Sequence, residues 1–243
     1  MAKTAGLNDR FFVNGYDLSG DVGAIQKMSS TIGEQKVTGL DKLAVERLQL
    51  LGDSAIDWSC FFTGQTSDTP LVHAHERLKT LSTTALCTYL NGTTAGDLAV
   101  GHEAKQFTYS PNRAADGALL VGVTSKGSGG YGLDVGRILD AAAAPTAVGN
   151  GTVLDLGASH GWGSAAFHLH AFSFTGTSVT IIIQTDDNSG MTTPTTYGTF
   201  TAVAGRTYQR LAVATAPERY IRWRADSGTF SAVSFAVAAF RTS

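Results

Sequence analysis

The strongest catalytic signal in the chain is Val153-Leu154-Asp155-Leu156-Gly157-Ala158-Ser159-His160-Gly161-Trp162-Gly163. Within it Gly157-Ala158-Ser159-His160-Gly161 is a formal G-x-S-x-G, the pattern that sets a nucleophilic serine on a sharp strand-to-helix turn. Such a serine needs an acid and a histidine from later loops, and no histidine follows His170. His168 and His170 would project from the same face of a strand, as a pair of metal ligands could. Without a third ligand nearby they read as ordinary polar-face histidines. Cys60 and Cys87 form no C-x-x-C motif and sit in apolar, strand-like surroundings, which describes two buried, reduced thiols. The run from Lys126 to Gly132 lacks the Gly-Lys-Ser/Thr ending of a phosphate loop and reads as a flexible connection. No cofactor or metal is expected from these residues.

The same 153–163 stretch resembles the glycine-rich first motif of S-adenosylmethionine methyltransferases, and Ile181-Ile182-Ile183-Gln184-Thr185-Asp186-Asp187 resembles their second strand with its ribose-binding acid. That family places a helix after the glycine-rich turn. Here Phe167, Leu169 and Ala171 alternate with His168 and His170, a strand period, and too little chain remains beyond them for a doubly wound sheet. A methyltransferase is therefore a remote alternative.

The elements that would position any site read as β. Phe11, Phe12 and Val13 form a strand ending at Asn14-Gly15, a hairpin turn suited to φ > 0. Tyr16, Leu18, Val22 and Ala24 alternate with Asp17, Ser19 and Asp21, so Asp17 and Asp21 are expected on the wet face of a half-buried strand. Leu40, Leu43, Ala44, Leu48 and Leu51 recur at helical spacing before Gly52-Asp53, which predicts a short amphipathic helix inside a long polar connection. Residues 55–63 read as a core strand. Thr69 and Pro70 then open a second helix lined by Leu71, His75, Leu78 and Leu81. Further strands are expected at 85–90, 102–109, 118–124, 166–174, 178–185, 208–215, 220–225 and 231–241.

With 28 Gly and 5 Pro, 43% hydrophobic and only 16% charged residues among 243, the composition suits short strands joined by tight turns. A formal net charge of −2 shows no basic footprint for phosphates or anionic lipid. The opening Met1-Ala2-Lys3-Thr4-Ala5-Gly6-Leu7-Asn8-Asp9-Arg10 lacks the apolar run of a secretory signal, and no later stretch is long enough to span a bilayer. Synthesis in the cytoplasm without membrane insertion is expected. The small-residue stretch Ala141 to Gly151 reads as a linker, giving a first domain over 1–140, a linker over 141–151 and a β-sandwich over 152–243.

The first 140 residues resemble the tail tube family of long-tailed bacteriophages and its relatives in type VI secretion. The likeness lies in the order of Asp9-Arg10-Phe11-Phe12-Val13-Asn14-Gly15-Tyr16-Asp17-Leu18-Ser19-Gly20, Ala44-Val45-Glu46-Arg47, Gly52-Asp53-Ser54-Ala55-Ile56-Asp57-Trp58, Phe61-Phe62-Thr63, Phe107-Thr108-Tyr109-Ser110-Pro111 and Asp116-Gly117-Ala118-Leu119. The resemblance implies a mainly β fold: an N-terminal β-sandwich or barrel with one or two short helices, and beyond it a jelly-roll or Ig-like sandwich. It also implies a non-enzymatic virion protein of the tail that polymerises, in hexameric rings, into the tube through which DNA passes. Its partners would be further copies of itself, other tail proteins such as the tape measure and terminators, and phage DNA in transit without specific binding. Asp17 and Asp21 are the expected acidic lumen lining, because a lumen that repels phosphate lets the genome slide. Leu43 and Leu48 are expected to pack between stacked rings, with 27–53 ordering only on assembly.

Arg219-Tyr220-Ile221-Arg222-Trp223-Arg224 is similar to a strand of galactose-binding-like jelly rolls, which would make Tyr220, Arg222 and Arg224 an outer binding face. The plain alternative is a strand with Ile221 and Trp223 buried and those three outside. A non-tube virion protein, a minor tail or decoration subunit with a glycan-binding sandwich, is the second functional reading.

Overall fold

The structure, a computed structural model, describes residues 8–61, 74–79, 83–113, 117–128 and 132–242. In chain order the first elements are β1 (Arg10–Val13), β2 (Tyr16–Asp17), β3 (Val22–Lys36), β4 (Arg47–Phe61), α1 (Ala74–Leu78), β5 (Ala85–Leu90), β6 (Leu98–Arg113) and β7 (Leu119–Gly127). Then come β8 (Asp134–Ala143), β9 (Gly149–Asn150), β10 (Leu154–Asp155), β11 (Ala165–Asp186), β12 (Thr195–Thr199), β13 (Thr207–Val213) and β14 (Tyr220–Arg241). The fold is mainly β and antiparallel, as expected from the composition.

Two compact units emerge, and they cut across the expected boundary. One comprises residues 1–20, 86–101 and 134–243, the other 21–85 and 102–133. The expected linker begins inside a strand: β8 runs to Ala143 and pairs with β14, Phe235 opposite Ala143 and Phe240 opposite Gly136. Ala141 and Ala143 are buried, so their small side chains serve close packing rather than flexibility.

In the first unit β11 and β14 form one long antiparallel ribbon from Ala165↔Arg241 to Asp186↔Tyr220. Around it β13 pairs with Ala165–Ala171, β12 with Ile182–Thr185, β8 with the end of β14, and β9 and β10 with its beginning. The β1–β2 hairpin turns at Asn14 (φ 50°) and Gly15 (φ 77°) as the sequence predicts, and β1 adds to β5. β11 is buried on both faces between Ala165 and Ala171. Phe167, Leu169 and Ala171 join one cluster with Leu139, Trp223 and Phe235. Ala166 joins another with Phe12, Leu90, Ile138, Ala238 and Phe240. The alternation of apolar and histidine positions is as expected, but the histidine face is a second core and not a wet surface.

In the second unit β3 pairs with β4, β4 with β7, and β7 with β6. Ser54, Ile56, Trp58 and Cys60 are buried alternately along β4, opposite Val121, Val123 and Ser125 of β7, the period-two pattern of a strand with one buried face. The expected helix over 40–51 is absent: β4 starts at Arg47, and Leu48 and Gly52 lie opposite Gln35 and Ile32 of β3. The strand expected at 55–63 extends backwards through Gly52-Asp53 because β3 continues opposite it and completes the ladder. The half-buried strand expected over 16–24 is likewise interrupted, by a turn at Ser19–Asp21. Of the second helix, α1 is described; Thr69, Pro70, Leu71 and Leu81 lie outside the described residues. Among the described residues no helix is long and apolar enough to cross a membrane.

Candidate functional site

The 153–163 segment builds neither expected enzyme geometry. β10 is two residues long, pairs with β14, and leads through turns with positive φ at Gly157 and Gly161 into strand β11. Where both motifs require a helix there is a strand. Ser159 is exposed, and His160 accepts the Trp162 amide through Nδ1 at 3.1 Å. Asp155 is gripped by Arg219 at 2.8 and 2.7 Å and accepts the Gly157 amide, which together hold its carboxyl at about 2.

Tyr220, Arg222 and Arg224 lie along one face of β14, with Ile221 and Trp223 buried on the other, as the plain strand reading has it. Arg222 Nε donates to Gln184 Oε1 at 2.9 Å, Arg224 to Asp226 and Asn150 at 3.1 Å, and Arg219 stacks 4.9 Å from the Tyr220 ring centre. These groups are largely matched to their own neighbours. Cys60 and Cys87 are both buried, and burial, with Asp21 nearby, pushes the Cys60 thiol up to about 11, which makes it a poor nucleophile.

The two expected lumen acids belong to different units. Asp17 bonds Arg10 at 2.9 Å and accepts the Ser19 amide at 3.0 Å. Asp21 accepts the Ala74 amide at the start of α1 at 2.7 Å, a capping contact.

A long exposed element is the ribbon made by the far ends of β3 and β4 and the connection between them. Every residue from 30 to 53 is exposed. Among them are Ile32, Val37, Leu40, Leu43, Leu48 and Leu51, with Leu43 at 107% and Leu48 at 53% of their full accessibility. Backbone pairing and a few polar contacts hold it: Lys36 opposite Arg47, Glu34 with Arg47 at 3.1 Å, and Lys42 with Glu46 at 3.4 Å. Exposed ion pairs of this kind contribute about 0–1 kcal/mol each, and a two-stranded ribbon with no face covered is marginal in water. Among the described residues β3 pairs with β4 alone, leaving its other edge a template for a further strand. Of the leucines of the expected helix, Leu48 and Leu51 lie on β4 and Leu40 and Leu43 in the connection between β3 and β4, all of them exposed.

The first unit holds a polar cluster that the sequence did not reveal. Asp134 accepts His168 Nε2 at 3.2 Å and Arg210 Nε and a terminal nitrogen at 3.1 and 3.3 Å. Burial raises the Asp134 carboxyl, but the hydrogen bonds from His168 and Arg210 outweigh it and hold it below the usual range. The Asp134 and Arg210 side chains are both nearly inaccessible. Removing one partner strands the others, so Asp134→Ala should lower unfolding free energy by about 3 kcal/mol. Asp134→Asn, which keeps an acceptor, should cost less. Urea denaturation measures both.

No family model matches the chain, and no curated protein matches it. Among solved structures the chain is similar to the Dit protein of phage SPP1, described as a paradigm of the hub adsorption apparatus in phages infecting Gram-positive hosts. The identity is 11% over 96% of this chain and 99% of that one, with a TM-score of 0.32. Overlap at this level carries no functional weight.

Proposed function

We propose that the chain is a non-enzymatic, self-assembling subunit of a phage tail, and specifically a tail tube protein that closes into rings, hexameric in the family it resembles, and stacks them. The observation that carries this reading is the 30–53 ribbon, which presents apolar side chains on an uncovered two-stranded element. Several exposed large apolar side chains on one uncovered element are a feature of interaction sites. The β3 edge, unpaired among the described residues, supports the same reading, because a head-to-tail ring satisfies such an edge without leaving a free one. The resemblance of the first 140 residues to tail tube proteins favours another copy of the chain as the occupant. Leu43 and Leu48 then pack against a neighbouring copy. The glycan-binding alternative gains no comparable feature, since Arg222 and Arg224 are engaged by Gln184, Asp226 and Asn150.

Hydrogen exchange tests the reading. In dilute monomer the amides of 30–53 should exchange rapidly, because local opening of a marginal ribbon is easy. In assembled material the same amides should be protected. Equal exchange in both states would show that the ribbon is not the contact.

A further inference from the structure

The two core histidines of the first unit belong to a hydrogen-bonded chain whose direction is fixed at one end. The Gly15 amide points at His170 Nδ1 at 3.2 Å, His170 Nε2 is 2.8 Å from Thr88 Oγ1, and Thr88 Oγ1 is 2.9 Å from His168 Nδ1. His168 Nε2 then meets Asp134 at 3.2 Å. A backbone amide can only donate, so His170 Nδ1 must accept and its proton must sit on Nε2. That proton goes to Thr88, whose own hydroxyl proton turns to His168 Nδ1, and His168 donates from Nε2 to Asp134. Every donor has an acceptor when both imidazoles are neutral.

A second proton on His168 would face the Thr88 hydroxyl, which can accept it. One on His170 would face the Gly15 N–H, donor against donor. The turn has little room to adjust around the ring. A Cβ on Gly15 would come within 2.6 Å of the Thr207 carbonyl oxygen. We propose that His170 is a proton-sensitive latch on the β1–β2 turn: neutral, it accepts the Gly15 amide, and protonated, it must give up that contact, leaving the turn held through Asn14 and Leu86.

The groups facing the pair set the sign. β8 presents Asp134, β13 presents Arg210 opposite His168 and Tyr208 opposite His170, β1 presents Phe12, β5 Thr88, β6 Gly101, and β14 Ala236 and Ala238. Burial, and with it Arg210, lowers the His168 imidazole below its ordinary value, against the opposing pull of Asp134. For His170, burial and then His168 both push protonation well below the usual imidazole range. The released state binds protons more readily than the latched one, so the contact is fully held above the ordinary imidazole value and weakens as pH falls below it.

The test is the Gly15 amide in the intact chain, read by NMR hydrogen exchange as a protection factor corrected for intrinsic pH dependence. Between pH 7.5 and 5.0 protection should fall by about 30-fold, the ratio at the two pH values of one plus the protonated-to-neutral ratio of a released imidazole of ordinary pKa. His170→Asn places a non-titrating acceptor near the Nδ1 position and should flatten that dependence. Should the variant not fold, the wild-type imidazole nitrogens decide directly: Nδ1 of His170 must be unprotonated at pH 7.5. A protonated Nδ1, or a Gly15 protection factor that is constant across this range, would overturn the proposal.

Discussion

A chain ending at Asp140 should fail to form the layer made by β1, β2, β5, the start of β6 and β8, the reverse of what a linker at 141–151 would give. That layer has no independent core. Phe12, Leu90, Ala99 and Ile138 pack against Ala166, Ala236, Ala238 and Phe240, and all four of the latter lie beyond the cut. β8 would also lose its ladder to β14. Each large buried side chain deprived of its packing costs about 2–5 kcal/mol, and several at once exceed the about 5–15 kcal/mol that holds a whole domain together. Exchange mass spectrometry should find segments 8–20 and 86–101 fully exchanged within seconds in the shortened chain and protected in the full one. Retained protection would mean that the first 140 residues do contain a self-sufficient core. By the same packing, residues 151–243 alone should be poorly folded, since the face of Phe240 and Ala238 would be bare.

Replacing Leu43 and Leu48 with Lys should abolish assembly while leaving the subunit's own stability within about 0.5 kcal/mol, the range for exposed positions. Neither side chain is buried within the chain, so nothing internal is lost. In a contact between copies, burying two leucines contributes about 2 kcal/mol each, which corresponds to about a thousandfold in dissociation constant. Two lysines brought against a like pair on the next copy would add desolvation cost to that loss. Sedimentation velocity reads the assembly and thermal melting the fold. Unchanged assembly in the double variant would place the contact elsewhere.

Much of the β character was legible. The Asn14-Gly15 turn, the strand at 85–90 and the buried Ile221 and Trp223 follow from turn chemistry and period two. The division of the chain was not, and the reason lies in its glycines. Gly176 and the Asp226-Ser227-Gly228 run read as breaks between separate strands, whereas Gly176 (φ 148°) and Gly228 (φ 135°) sit at or beside register shifts inside the continuous β11–β14 ribbon. A bulge and a turn use the same residue types. Ala141–Ala143 misled for a related reason, since small side chains serve a crowded sheet contact as well as a linker. The leucines at 40–51 fit a helical period over one stretch, yet nothing local records that β3 continues opposite them. The histidine cluster was out of reach because Gly15, Thr88, Asp134, His170 and Arg210 come together only through strand pairing.

The central claim, that this chain is built to join copies of itself, is tested most directly by electron microscopy of the purified full-length protein over rising concentration. Closed rings, stacking into tubes with an axial channel as concentration rises, are the expected images. A field of single subunits at every concentration, with the 30–53 ribbon still exchanging freely, would contradict the account.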